Sequence, residues 1–243
     1  MSFIGLKHPE LLEIRDVNES GSGNGTIVTG GSQYWYPSDG YIPNGACGAT
    51  AASNILGYLI MTRKPLFDIA CEKGFMDLSV TKGPAGNDGE PIPKPDFLEF
   101  MKKVYEFLYP HAGGLMADGF VDGISGLAKK YDLPIAAECL KITINRKLRP
   151  SFEEVTAFIK TSIKTDIPVA FLILSKGNVS ALDTWHWVTI LGFEEESGSV
   201  QITDNGKVFF AELSPWLDTS IMGGALVRIS PSGLFSAVDD SET

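Results

Sequence analysis

Cysteine and histidine are scarce in this chain of 243 residues, which has only three of each. Cys47, Cys71 and Cys139 form an odd, sparse set, which argues against a disulfide framework. No two of them make a CxxC pair, and His8, His111 and His186 are scattered, so neither a metal site nor any other cofactor is expected. Long apolar runs are missing as well. None approaches the roughly 18 residues needed to cross a bilayer. The opening stretch, MSFIGLKHPELLEIRD, lacks the basic start and apolar block of a secretory signal. A cytoplasmic location is therefore expected. Positive charge is in deficit: 20 Lys and Arg against 30 Asp and Glu give a net charge of −10. That field repels phosphates and anionic lipid, so neither nucleic acid nor membrane is expected as a partner. There is no internal repeat, and nothing specifies an oligomer.

What is present is enough apolar residue, 44%, to bury a core in one large domain or in two lobes sharing a cleft. The expected organisation is a single domain over 1–243. An N-terminal strap occupies 1–40, a helical lobe 41–133, a β lobe 134–230 and an acidic tail 231–243. Stretch 17–32 is rich in turn-forming residues and reads as a hairpin or surface loop around a short strand at 26–29, and 81–95 reads as a long Pro/Gly loop. Apolar periodicity predicts helices over about 46–61, 95–108 and 118–131. Ser151 followed by Glu154 is a capping box opening a helix to about Lys164. Runs at 135–144, 167–175, 185–193, 199–204, 207–213 and 224–230 are strand-like. Asn205-Gly206 between two of them is a strong hairpin-turn signal. The fold class is α+β: a helical lobe plus an antiparallel sheet or open barrel, with a site in the cleft between them.

Cys47 falls in NGACGATAASNIL, in the first turn of the first predicted helix, with Asn44 and Gly45 as cap candidates. Unpaired N–H groups and the positive end of the dipole favour a thiolate there, and the thiolate is the nucleophile. Gly48 leaves room for a substrate backbone. Free cysteines are also common core residues, and Cys71 and Cys139 lack this helix-start setting. His186 lies in TWHWVTILGF, where Trp185 and Trp187 flank it and point the other way by strand alternation, able to shield the site or cover a rim. It is the base by elimination, because His8 lies near the terminus and His111 in a turn. It follows Cys47 by 139 positions, within the interval of papain-like enzymes. Asp204 ends an otherwise apolar strand face, where a carboxylate is costly unless paired, and an imidazolium would pair it. Asn205 is accounted for by its turn and is the weaker choice to orient the ring. Gln33 is the one Gln before Cys47 and the side-chain candidate for an oxyanion hole.

At GACGATAASNIL, PVAFLILS, HWVTILGF and VQITDNG the chain resembles the papain-like cysteine peptidase superfamily. Within it, the likeness is nearest to bacterial peptidases related to the double-glycine leader peptidases of bacteriocin export. The resemblance spans about residues 33–210. It implies a Cys47–His186–Asp204 triad with Gln33 as oxyanion donor, acting on a peptide or small amide through an acyl-thioester. The chain departs from the papain pattern in lacking C-G-[SA]-C-[WY] and an Asn-Ser-Trp after the histidine. Gln33 also stands 14 residues before Cys47, further than is usual in such families. Two alternatives share these residues: an acyl or peptidyl transferase, and a non-catalytic binding domain on the same scaffold.

Overall fold

The computed structural model describes residues 2–16, 25–77, 90–109 and 114–232. The first half of the expected 17–32 loop, residues 81–89 of the 81–95 loop, His111 and nearly all of the acidic tail lie outside them. In chain order the elements are β1 (Phe3–Gly5), β2 (Glu13–Asp16), β3 (Thr26–Thr29), α1 (Cys47–Thr62), α2 (Lys64–Glu72), β4 (Ile92–Pro93), α3 (Lys94–Tyr105), α4 (Ala117–Lys130), β5 (Ile135–Ile142), α5 (Phe152–Lys164), β6 (Val169–Ile173), β7 (His186–Glu194), β8 (Ser199–Asp204), β9 (Lys207–Glu212), α6 (Leu213–Thr219) and β10 (Gly224–Pro231).

The result is a mixed α/β fold around a seven-stranded antiparallel sheet of order β5-β10-β6-β7-β8-β9, with β1 joined to β7. A small second sheet has the order β3-β2-β4. Strand alternation divides the large sheet into two apolar faces. Ala170, Leu172, Trp187, Ala225 and Val227 pack with α1 and the helices around it. Val169, Phe171, Ile173, Val188, Ile190 and Leu226 pack with α5 and α6.

α1 is the centre of the first layer. Every residue from Cys47 to Met61 is buried, which is why its sequence shows no polar face. Its small residues allow close approach: a Cβ on Gly57 would sit 3.3 Å from the Phe97 ring. The Ser151 capping box forms as expected, Ser151 Oγ accepting from Glu154 N at 3.2 Å and Glu154 Oε2 accepting from Ser151 N at 2.7 Å.

The division into a helical half and a β half is less clean than the sequence suggested. The N-terminal stretch contributes β1, pairing Phe3 with Glu194 and Gly5 with Gly192. α5 and α6 belong to the second half yet cover the sheet's far face. α1 packs directly on the sheet, so the helical layer and the sheet share one core.

Candidate active site

The site is built where α1 begins. Pro43–Gly45 forms one turn of 3-10 helix that runs into α1, with Ala46 N–H donating to Pro43 O at 3.1 Å. Ala46 occupies the N-cap position and no side chain caps the helix, so neither Asn44 nor Gly45 serves as the expected cap. The first-turn N–H groups are thus left without a side-chain acceptor, and their partial positive charge lies beside Cys47. Cys47 is 8% exposed. Gly48 does not open a path for substrate: a Cβ there would stand 2.6 Å from Leu115 Cδ2 and 3.2 Å from Trp187 Cδ1. Its missing side chain is the space those two residues fill.

His186 opens β7 and Asp204 closes β8. The strands are antiparallel, so the two side chains meet at one end of the sheet. His186 Nε2 lies 2.9 Å from Asp204 Oδ1. A carboxylate oxygen accepts here, so Nε2–H donates to it and Nδ1 is the nitrogen left to face Cys47. Burial acts to lower the pKa of His186, but the Asp204 hydrogen bond and the neighbouring Cys47 outweigh it and push it up to about 10. Cys71 and Cys139 have no such surroundings: burial, the largest influence on each, pushes both thiols up.

Gln33 lies in a one-turn 3-10 segment, Gln33–Trp35, and is buried. Its backbone N–H donates to Asn205 Oδ1 at 3.0 Å, and its side-chain Oε1 has no hydrogen-bond partner among the described residues. The preceding glycines are pinned to α1. Asn54 Oδ1 accepts from Gly31 N at 2.8 Å, while Asn54 Nδ2 donates to Thr189 Oγ1 on β7 at 3.2 Å. Gly30 has φ +75°, and a Cβ there would meet the Asn54 amide at 2.9 Å, so glycine is required on both counts.

Sequence reasoning missed two contributions. Asn205, read as a turn residue and the weaker choice to orient the ring, instead donates from Nδ2 to Asp204 Oδ1 at 2.8 Å. Asn54 looked like one polar residue among the small residues of α1. The signal that could have flagged it is its amide: Thr50 and Ser53 can bond back within the helix, as they do, whereas a buried amide in a helix without a polar face needs partners elsewhere. The two tryptophans also differ from each other. Trp187 is buried, stacks on Phe120 and donates its indole N–H to Leu115 O at 2.7 Å. Trp185 is 54% exposed and holds φ +58°, a left-handed conformation that is costly for a bulky side chain.

Fold and site together describe a mixed α/β protein whose buried central helix starts at a cysteine, with a hydrogen-bonded His–Asp pair at one end of the sheet it packs on. No family model matches the chain, and no curated protein matches it. Among solved structures it is similar to the peptidase domain of Streptococcus ComA, a bi-functional ABC transporter involved in a quorum sensing pathway. The identity is 12% and the TM-score 0.37, over 79% of this chain and 95% of that one. No group of three or more His, Cys, Asp or Glu among the described residues could hold a metal ion, and no described helix is long and apolar enough to cross a membrane.

Proposed function

We propose that the chain is a papain-like cysteine hydrolase, a single domain that cleaves a peptide or small amide bond. The observation that carries this is the His186–Asp204 pair, Nε2 2.9 Å from Oδ1, with Cys47 at the start of α1 near enough to raise the pKa of the ring. In this reading the Cys47 thiolate attacks the carbonyl carbon and the C=O electron pair moves onto oxygen. First-turn N–H groups of α1 and the Gln33 amide stabilise that oxyanion. The tetrahedral intermediate collapses as His186 gives its proton to the leaving amine, leaving an acyl-thioester on Cys47. Water then adds to the thioester carbonyl, losing a proton to His186, and expulsion of the thiolate releases the acid. Asp204 holds the ring in the required tautomer throughout.

The test is competitive labelling with iodoacetamide at pH 6, mapped by mass spectrometry, alongside incubation with a library of short peptide amides. Cys47 labels at least tenfold faster than Cys71 and Cys139, and an acyl adduct accumulates on Cys47. Equal labelling of the three cysteines sinks the hydrolase. A second reading, a binding domain that keeps the same three side chains, is favoured by how little space surrounds them. The cavity that touches Cys47, Asn54, Thr189 and Asp204 measures only about 10 Å³. Fast labelling of Cys47 with no turnover of any amide would support it.

A further inference from the structure

We propose that Asn205 is a positioning residue that couples the Ser32–Gln33 segment to the Asp204–His186 pair. This rests on the function proposed above and adds to it a residue that ties the acid end of the triad to the oxyanion segment.

The Asn205 amide is used on both sides. Oδ1 accepts from Ser32 Oγ at 3.0 Å and from Gln33 N at 3.0 Å. Nδ2 donates to Asp204 Oδ1 at 2.8 Å, the same oxygen that His186 Nε2 meets at 2.9 Å. The turn by itself does not call for this side chain. Asn205 has φ +48° and Gly206 φ +80°, a pair that Gly-Gly or Asp-Gly also adopts in a two-residue hairpin. What distinguishes asparagine is chemistry. Glycine makes none of the three bonds. Aspartate keeps the acceptor for Ser32 and Gln33 but has no N–H for Asp204, and it places a second carboxylate beside the first.

Two donors on one oxygen fix the plane of the Asp204 carboxylate. That plane sets the tilt of the imidazole, and the tilt aims Nδ1 at Cys47. Asp204 is partly open to water, its side chain 20% exposed, so a carboxylate released by Asn205 has somewhere to turn. On the other side, the segment carrying Gln33 is stitched to the same hairpin. Thr29 N donates to Gly206 O at 3.2 Å, and Thr203 Oγ1 donates to Thr29 O. Asn205 therefore sits where the holder of the imidazole and the backbone bearing the oxyanion amide are joined through one side chain.

The experiment compares wild type, Asn205→Gly and Asn205→Asp in the full chain. Three quantities are read: the rate of Cys47 alkylation at pH 6, the ¹⁵N shifts of the His186 ring, and kcat against KM on any amide found to turn over. Asn205→Gly keeps the turn, and is expected to slow alkylation and kcat about 10–100-fold with KM unchanged, as for loss of other groups that orient a reacting side chain. Asn205→Asp is expected to lose at least as much, although its acceptor half is intact. In both, the ring ¹⁵N shifts pass from imidazolium to neutral imidazole at a lower pH than in wild type. A purely structural role predicts lower melting temperatures with wild-type alkylation and ring shifts, and that result overturns the proposal. If Asn205→Gly does not fold, Asn205→Asp decides by the same readouts. Should wild-type Cys47 label no faster than Cys71 and Cys139, the hydrolase reading falls. The His186 ring shifts then decide the positioning role alone: changed, it stands; unchanged, it falls with the rest.

Discussion

The two faces of the large sheet hold cavities of opposite character. On the α5 side, a groove of about 640 Å³ is lined by Leu140, Phe158 and Ile167, with Arg228 and Glu138 paired across β10 and β5. Its lining includes no cysteine and no histidine. Around the start of α1 the cavity is only about 10 Å³, yet Cys47, Asp204 and Asn205 all border it. Open volume marks where helix and sheet fit loosely. Chemistry is marked instead by polar side chains that hold one another in place where water is largely excluded. The small cavity belongs to the candidate site, and the large one is a gap beside α5.

The largest expected effect lies at the nucleophile. Cys47→Ser should abolish fast labelling and amide turnover, to below detection. Cys71→Ser and Cys139→Ser should leave both unchanged, because burial already holds those thiols protonated. Residual turnover in Cys47→Ser comparable to wild type would move the chemistry elsewhere, the α5 groove included.

His186 gives the next largest effect and a pH signature. Asp204→Asn should lower turnover by about 10³–10⁴, as loss of an orienting carboxylate does in related triads. The folded pKa of His186, about 10, lies above the roughly 6.5 of an unfolded chain. Its contribution to stability is therefore complete below about pH 6.5 and is lost as pH rises towards 10. Thermal melts at pH 5.5, 8 and 10.5 should show wild type losing stability across that window. Asp204→Asn and His186→Ala should each show a shallower loss. Parallel curves for all three proteins would mean that His186 is not held as an imidazolium.

Much of the site was legible because its parts are local. The helix start at Cys47, the strand before Asp204 and the Asn205-Gly206 turn each carry their signal within a few residues. β8 ends at Asp204 and the turn forms where those signals place them. What escaped notice is long-range. β1 has three residues and a half-exposed Phe3, and its partner lies about 190 positions away. The EIRD of β2 carries one buried side chain, Ile14, and so shows no alternating pattern. α6 follows β9 without a break, so its first residue, Leu213, reads as the end of a strand and the rest, 214–219, show no element of their own. Asn205 had an adequate local explanation, and its bonds to Ser32 and Gln33 span more than 170 positions. A residue that satisfies a turn and a site at once shows only the turn in its sequence.

The far face should respond in stability and not in chemistry. Ser151→Ala removes the acceptor for Glu154 N and half of the capping box of α5. It should cost about 1 kcal/mol, read as a lower denaturation midpoint. Turnover per folded molecule should not change, since α5 packs on the face opposite Cys47.

The smallest effect is the sharpest test of the groove. Glu138 accepts from Arg228 Nε at 2.8 Å and from Nη2 at 2.5 Å, and its side chain is 44% exposed. An ion pair open to water on one side contributes up to about 1 kcal/mol, because solvent screens the charges and two long side chains must be ordered. Glu138→Gln keeps an oxygen for Arg228 and removes the charge. Arg228 also lies over the Phe158 ring at 5.0 Å, a contact the substitution leaves in place. The midpoint should fall by less than it does in Ser151→Ala, and Cys47 labelling and amide turnover should match wild type. If Glu138→Gln instead changes KM for an amide, the groove binds part of the substrate. The division of the sheet into a reactive end and an inert face would then have to be withdrawn.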